Sequence, residues 1–465
     1  MPYAGLMVSI SGIRGRVGEA LTPEIVSTFA AAFGVWALGQ SDGTGQGSAG
    51  SSRSIVVGRD SRVSGPMFHR AVLAALQSVG CRVIDVGLAP TPTIQLAVEA
   101  HHAAGGLAIT ASHNPVEWNA LKFIGPTGLF LEAHEGAAMR AIAEGVIPRA
   151  TWDRLGIVEP DEAAVKRHLD AVVALPYIDV AAIRRRRFRV ALDCCNGAGA
   201  TIMPALLERL GCHVAAIGLE TDGRFPHPPE PVAENLRDLE RLVRESRADI
   251  GFAVDPDVDR LALVDETGHA IGEDYTLALA ARVVLQRHAG VVVTNLSTSR
   301  IVDDVAAAAG GSVIRAPVGE VNVATRMRDE GALVGGEGNG GVILSELHLG
   351  RDAPVGAALM LQLLAEAGVA LSSVVAQYPR YSIVKDKLDR PNGSLESVYG
   401  ALTAAFADAE IDRQDGLRFS WPDRWVHVRP SGTEPIVRVI AEARNEADAR
   451  ALIARSRAPL DAMAH

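Results

Sequence analysis

The sequence predicts an α/β fold: three similar αβ domains with mixed, mostly parallel sheets, then a smaller C-terminal α+β domain. Three observations carry this expectation. The chain has 465 residues, more than one hydrophobic core organises. A strand–helix–strand pattern returns three times along it. The pattern then changes over the last ~85 residues, a length suited to one small domain.

The first pass begins with the apolar run Ser54 to Gly58, read as a strand. Ser64 to Val79 follows with helical spacing, with Ser64 placed to cap it and Gly80 just beyond its end. Cys81 to Val86 is the next strand. The second pass runs Phe188 to Asp193, a helix from about Thr201 to Leu210 closed by Gly211, then His213 to Ile217. The third has Gly290 to Asn295, a helix from about Ser299 to Ala309, and Ser312 to Arg315. In the last part, Asp415-Gly416 reads as a turn and Trp425 to Val428 alternates as a strand does. Domain spans of 1–158, 159–270, 271–377 and 378–465 follow. Ser41 to Ser54, rich in Gly and Ser, reads as a surface loop.

Composition narrows the function classes. The chain is 48% hydrophobic and 22% charged, ordinary for a globular protein, and its formal net charge of -10 argues against a nucleic-acid binder. The basic run Arg184 to Arg187 reads as a solvated lead-in to a strand. Cys81, Cys194, Cys195 and Cys212 lack metal-ligand spacing, and adjacent Cys194 and Cys195 do not readily bridge, so buried thiols in a reducing cytoplasm are expected. No signal-peptide pattern opens the chain. The apolar segment Ala353 to Leu371 carries Gln362 and Glu366 and reads as a buried helix, not a membrane span. His101 and His102 read as surface residues.

Four short stretches carry chemistry. In the first, the strand-like run Gly106 to Ile109 ends in Thr110-Ala111-Ser112-His113-Asn114-Pro115, which places Ser112 on a loop at a strand's end. In the second, Asp255-Pro256-Asp257-Val258-Asp259-Arg260 follows the apolar run Ile250 to Val254. Three carboxylates at alternate positions repel one another unless a cation lies between them, and hard oxygen ligands suit Mg²⁺ or Ca²⁺. An EF-hand loop is a rival, with Glu266 at its twelfth place, but Arg260 stands where that loop needs Gly and the flanks read as strands. In the third, Arg429-Pro430-Ser431-Gly432-Thr433-Glu434-Pro435 joins an arginine, two hydroxyls and a glycine into a plausible phosphate cradle. The fourth, Gly335 to Gly341, lets backbone approach a ligand, while Glu337 and Asn339 offer the hydrogen bonds that sugar hydroxyls exchange. It lacks the Gly-Lys-Ser/Thr ending of a nucleotide P-loop.

Together with Ser11-Gly12-Ile13-Arg14-Gly15 and Gly58-Arg59-Asp60-Ser61-Arg62-Val63-Ser64-Gly65, these stretches resemble, in content and order, the motifs of the α-D-phosphohexomutase family of phosphoglucomutases, phosphomannomutases and phosphoglucosamine mutases. The resemblance spans nearly the whole chain. It implies four domains around one central cleft: a phosphoserine domain, a metal-binding domain, a sugar-binding domain and a C-terminal phosphate-binding domain. It also implies roles. Ser112 would carry the phosphoryl group, and Asp255, Asp257 and Asp259 would hold one Mg²⁺, with a phosphoserine oxygen of Ser112 completing the set. Arg260 would hold the reacting phosphate, Lys122 would take part in proton transfer, and Arg14 and His113 would line the site. Glu337 and Asn339 would read the sugar, while Arg429, Ser431, Gly432 and Thr433 would grip the idle phosphate.

The implied activity is an isomerase-type phosphotransfer between hexose 6-phosphate and hexose 1-phosphate, through a phosphoserine and a bound hexose 1,6-bisphosphate. The expected partner is a small phosphosugar, with no nucleic acid and no membrane, and the expected assembly is a monomer or homodimer. Two departures stand out. Relatives often have Gly-Glu-x-Ser-Gly-His at the sugar loop, where this chain has Asn339 and Gly341. Relatives usually have Gly and Ala between the aspartates, where this chain has Pro256 and Val258. This combination resembles a phosphoglucosamine mutase branch, so glucosamine phosphate is favoured, with glucose or mannose phosphate as alternatives. From other classes, a metal-dependent phosphatase with an aspartyl nucleophile predicts activity that survives Ser112→Ala, and a non-catalytic paralogue predicts binding without turnover.

Overall fold

The structure, a computed structural model, describes residues 5–9, 12–43, 53–389, 395–431 and 436–461. Gly432 and Thr433 of the expected phosphate cradle, and most of the Gly/Ser-rich stretch, lie outside the described residues.

Four sheets follow one another along the chain. The first contains β1 (Met7–Val8), β2 (Gly12–Arg16), β3 (Ser54–Arg59), β4 (Arg82–Leu88), β5 (Gly105–Ile109), β6 (Trp118–Ile124) and β7 (Val158–Pro160), in the order β1-β2-β6-β5-β3-β4-β7. It is mixed in equal parts: β3 pairs in parallel with β4 and β5, and β4 with β7, while β1-β2, β2-β6 and β5-β6 are antiparallel. The second holds β8 (Arg189–Asp193), β9 (His213–Ile217), β10 (Ile250–Val254) and β11 (Leu261–Val264), ordered β11-β10-β8-β9. The third holds β12 (Val291–Asn295), β13 (Ser312–Ala316), β14 (Val334–Glu337) and β15 (Gly341–Leu344), ordered β13-β12-β14-β15. Each of these two has one antiparallel edge strand on an otherwise parallel sheet. The fourth, β16 (Ser382–Asp389), β17 (Glu410–Asp412), β18 (Leu417–Ser420), β19 (Trp425–Pro430) and β20 (Ile436–Ala443), is wholly antiparallel in the order β16-β20-β19-β18-β17.

Helices cover the first sheet on both faces. Phe29, Phe33 and Phe68 of the helices Pro23–Gly43 and Gly65–Ser78 pack with Leu107 and Phe123 on one side. Ile94 and Val98 of the helix Thr91–Ala100 pack with Val56 and Ala108 on the other. The second and third sheets share one continuous core from Leu169 to Val375. A buried latch ties the first three units together. Thr93 Oγ1 lies 2.8 Å from His168 Nδ1, and His168 Nε2 lies 2.8 Å from Asp352 Oδ2. His348 Nδ1 accepts the Gly350 N–H, which leaves its Nε2–H to donate to the same Asp352 oxygen at 3.0 Å.

Several sequence expectations need correction. Arg184, Arg185 and Arg186 form the last turn of a short helix, Val180–Arg186, which Asp179 caps; Arg187 follows in the left-handed region. The run is therefore a basic helix end, favoured by the helix dipole, and it is exposed and leads into β8 as expected. Ser64 precedes its helix but makes no capping bond; its hydroxyl accepts from Asn119 Nδ2 instead. The expected helix Thr201 to Leu210 is a 3₁₀ turn, Ala198–Thr201, followed by the helix Met203–Arg209. The apolar helix Ala353–Ala367 stops at left-handed Gly368, so Leu371 opens the next helix. His101 is half-buried against Asp161 at 2.8 Å. Among the described residues, no helix is long and apolar enough to cross a membrane.

Candidate active site

Three loops leave the carboxyl ends of β5, β10 and β14, the edge where α/β sheets present ligand-binding groups. The β5 loop carries Ser112 at φ +49°, and the β10 loop carries fully buried Val258 at φ +65°. A non-glycine residue in that region costs about 1–3 kcal/mol, so packing must hold both loops in place.

Arg62 clamps the Ser112 loop. This wholly buried side chain pairs with Asp60 at 3.0 Å and donates to the carbonyls of Ser112, Asn114, Pro115 and Trp118 at 2.5–2.9 Å. Thr110 Oγ1 donates to Asp60 and accepts the Ser112 N–H. The Ser112 hydroxyl, so aimed, donates to Asp255 Oδ2 at 2.7 Å, across from one sheet to the next. Arg14, on β2, reaches the same loop through Asn114 Oδ1 at 2.9 Å. His113 Nδ1 lies 3.3 Å from Ser112 Oγ. Burial, then the charges of Arg260 and Arg14, push its pKa down to about 2, so the ring is neutral at ordinary pH.

The carboxylates of Asp255, Asp257 and Asp259 offer oxygens within 4.8 Å of one another, and all three residues are buried. Burial, with repulsion from Asp259 and Asp257, raises the Asp255 pKa well above the usual carboxylate range. Burial acts the same way on Asp257, but the charge and hydrogen bond of Lys122, together with hydrogen bonding to Asp255 and Thr91, outweigh it and leave that group low. Lys122 projects from β6 and meets Asp257 Oδ2 at 2.7 Å and Asp259 Oδ2 at 3.5 Å. Burial opposes its ammonium form, yet Asp257 and Asp259 prevail and raise its pKa. Thr91 adds a hydroxyl at 2.7 Å to the same Asp257 oxygen. Oδ1 of Asp257 and Oδ1 of Asp259 are buried with no hydrogen-bond donor. Two orphaned carboxylate oxygens beside a third, destabilised carboxylate are the donor set of a hard divalent cation. Arg260 has its Nε 3.8 Å from Asp259 and its Nη1 3.5 Å from Glu230.

The β14 loop is joined to this nest through Arg351, a residue sequence reasoning missed. Its Nη2 meets Asp259 at 2.6 Å, its Nη1 meets Glu337 at 2.8 Å and its Nε meets Glu320 at 3.0 Å. Glu337 also accepts from Asn295 at 2.8 Å and from the Gly319 N–H at 3.1 Å. Asn339 bonds Glu337 at 3.4 Å and accepts the Gly341 N–H at 3.2 Å. In the fourth unit, Arg429 lies 2.8 Å from Asp415, whose carboxylate accepts the Val318 N–H at 3.1 Å. Val318 adjoins Gly319, so a chain of contacts runs from Arg429 to Glu337. Ser431 is described and half-buried at the end of β19.

The structure thus brings Ser112, His113, Arg14, Lys122, Arg260 and the three aspartates into one polar centre, with Glu337 and Asn339 at its border. Arg62, Thr91, Glu320 and Arg351 belong to it as well. For Arg62 the stretch Gly58 to Gly65 was a signal without an assigned role. Arg351 had none.

Fold and site define a multi-domain phosphotransfer enzyme with a buried serine hydroxyl beside three clustered carboxylates. The chain matches the family described as phosphoglucomutase/phosphomannomutase in four consecutive parts: alpha/beta/alpha domain I over residues 6–146, domain II over 166–268, domain III over 272–381 and the C-terminal domain over 385–458. It is 38% identical over 452 residues to a probable phosphoglucosamine mutase of Methanopyrus kandleri, covering 96% of each chain. It is also 38% identical over 453 residues to a phosphoglucomutase/phosphomannomutase of Thermococcus kodakarensis, again over 96% of each. Among solved structures, a phosphoglucomutase/phosphomannomutase family protein of Burkholderia thailandensis superposes with a TM-score of 0.85 at 26% identity, over 98% of this chain and 97% of that one. The chain belongs to the phosphoglucomutase/phosphomannomutase family, whose members are phosphomutases.

Proposed function

We propose that this protein is a phosphohexomutase that interconverts hexose 6-phosphate and hexose 1-phosphate, with glucosamine phosphate the favoured substrate and glucose or mannose phosphate the alternatives. The observation that carries the reading is the 2.7 Å hydrogen bond from Ser112 Oγ to Asp255. The reading is supported by a serine hydroxyl lying against the only cluster of three carboxylates among the described residues whose oxygens could share a cation.

Asp255, Asp257 and Asp259 would hold Mg²⁺, which when bound neutralises charge on phosphoryl oxygens. The chain's own groups do the rest. In the first transfer, the bond between phosphorus and Ser112 Oγ breaks as a sugar hydroxyl oxygen bonds to phosphorus and loses its proton. Lys122, kept as an ammonium by Asp257 and Asp259, passes a proton to the departing serine oxygen and regains the one the sugar hydroxyl gives up, so it ends the transfer as it began. Arg260 and Arg14 offset charge on the phosphoryl group as it moves. The hexose 1,6-bisphosphate then turns, and its other phosphate returns to Ser112. Glu337 and Asn339 read the hydroxyls in both poses, while Arg429, Ser431, Gly432 and Thr433 hold whichever phosphate is idle.

Intact-mass measurement before and after addition of a hexose 1,6-bisphosphate tests this. One added phosphate on the wild-type protein, absent from Ser112→Ala, is the expected result. No added phosphate with any bisphosphate donor, or turnover that survives Ser112→Ala, overturns it. A panel of glucosamine, glucose and mannose 1-phosphates then fixes the sugar.

A further inference from the structure

We propose that Arg351 is a positioning residue that orients Asp259 toward the cation and Glu337 toward the sugar, so that one side chain sets both sites. The proposal rests on the phosphohexomutase reading above.

Every nitrogen of the guanidinium is engaged. Nη2 holds Asp259 Oδ2, Nη1 holds Glu337 Oε2 and Nε holds Glu320 Oε2; the Arg351 backbone N–H adds a bond to the other Glu320 oxygen at 3.1 Å. Because the guanidinium is planar and rigid, the three carboxylates are fixed relative to one another in a way an ammonium cannot reproduce. The consequence shows at Asp259. Its Oδ2 is taken by Arg351, and its Oδ1 is left buried without a hydrogen bond, with only Arg260 Nε at 3.8 Å, near the equally unbonded Oδ1 of Asp257, whose own Oδ2 is taken by Lys122. Each ligand thus turns one oxygen to a fixed protein cation and the other into the nest. Groups that orient a metal ligand in this way control its affinity.

The arginine's path depends on a glycine in the sugar loop. A Cβ added at Gly341 would lie 2.3 Å from Arg351 Cδ. Arg351 therefore runs through the space that a side chain at 341 would need, which is where this chain departs from the Gly-Glu-x-Ser-Gly-His pattern. Its backbone is equally constrained: the next residue, Asp352, donates its N–H to Val342 at 2.8 Å and caps the helix Ala353–Ala367.

The test uses the full-length protein with Arg351→Lys and Glu320→Gln. Lysine keeps the charge but cannot reach Asp259 and Glu337 together. Glu320→Gln weakens the third prong and keeps the question answerable should the lysine variant not fold. Mn²⁺ binding is measured by calorimetry, without substrate, alongside KM and kcat for the hexose phosphate. Arg351→Lys is expected to weaken Mn²⁺ binding ~10–100-fold and to raise KM by more than it lowers kcat, with Glu320→Gln moving both in the same direction by a smaller factor. Mn²⁺ affinity and KM within about twofold of wild type in every folded variant overturn the proposal. If the wild-type protein itself binds no Mn²⁺, the cation reading fails and takes this inference with it. If wild type binds Mn²⁺ and the variants match it, this inference alone fails.

Discussion

Ser112 Oγ and Asp255 Oδ2 lie 2.7 Å apart although one sits on the loop after a strand of the first sheet and the other on the loop after a strand of the second. The hydroxyl donates to one Asp255 oxygen and the Asp259 and Arg260 N–H groups to the other, yet burial and two neighbouring carboxylates still raise its pKa. The pair is thus under electrostatic load that a bound cation relieves.

Asp255→Asn removes that load without changing shape. In EDTA at pH 7 the variant is expected to melt no lower than wild type, while turnover falls by at least ~100-fold for want of a metal ligand. Added Mg²⁺ should raise the wild-type melting temperature, by ~2.7 kcal/mol of stability at a hundred times Kd, and leave the variant nearly unmoved. Differential scanning fluorimetry with and without EDTA checks both.

Arg62→Lys tests the clamp on the serine loop. A lysine cannot span Asp60 and four carbonyls at once, so buried Asp60 loses its fork and the loop its frame. Leaving a buried charge without a well-formed partner costs about 3–5 kcal/mol, to be read from urea denaturation, and turnover should fall with it.

How much of this was legible follows from where the atoms come from. Ser112 and Asp255, Asp257 and Asp259 stand in contiguous runs whose flanking strands announce their position, so chemistry could be read directly. Arg62 could not be read that way, because apart from Asp60 its partners lie 50–56 residues away and are backbone carbonyls, which any sequence supplies. Arg351 was hidden for a related reason: it stands just before an apolar helix and touches carboxylates from three separate segments. The helix that carries Arg184 to Arg186 went unread because seven residues are too few to show a period, and the αL residue Arg187 that ends it leaves no glycine signal.

Gly341→Ala should reproduce the effect of changing Arg351. The new methyl would meet Arg351 Cδ at 2.3 Å and force the guanidinium off Asp259 or Glu337. Mn²⁺ affinity is expected to drop ~10-fold in Gly341→Ala and to change little more in the double variant with Arg351→Lys. A double-mutant cycle by calorimetry, with fully additive effects as the contrary result, decides it.

Low pH should loosen the fourth unit. Its buried His427 donates from Nε2 to the Asp415 carbonyl at 2.6 Å and accepts at Nδ1 from Ser297 of the third unit at 2.8 Å. Burial holds its folded pKa down to about 4, against 6.5 for a free imidazole. The unfolded state therefore binds the extra proton first. The stability that neutral His427 contributes is complete above pH 6.5 and is lost as pH falls toward 4, by ~3 kcal/mol in all. Melting temperatures between pH 7.5 and 4 should fall less steeply in His427→Gln than in wild type.

The latch of Thr93, His168, Asp352 and His348 bears on how such a chain can be recombined. Its four members come from the first, second and third units, and each is buried. A chimera that imports one unit from a relative inherits an imidazole or a carboxylate whose counterpart was left behind, stranded away from water. The repeated αβ architecture looks like interchangeable parts, yet the first three must be transplanted together; the antiparallel fourth takes no part in the latch and is tied to the third by the His427–Ser297 and Glu442–Arg300 bonds instead.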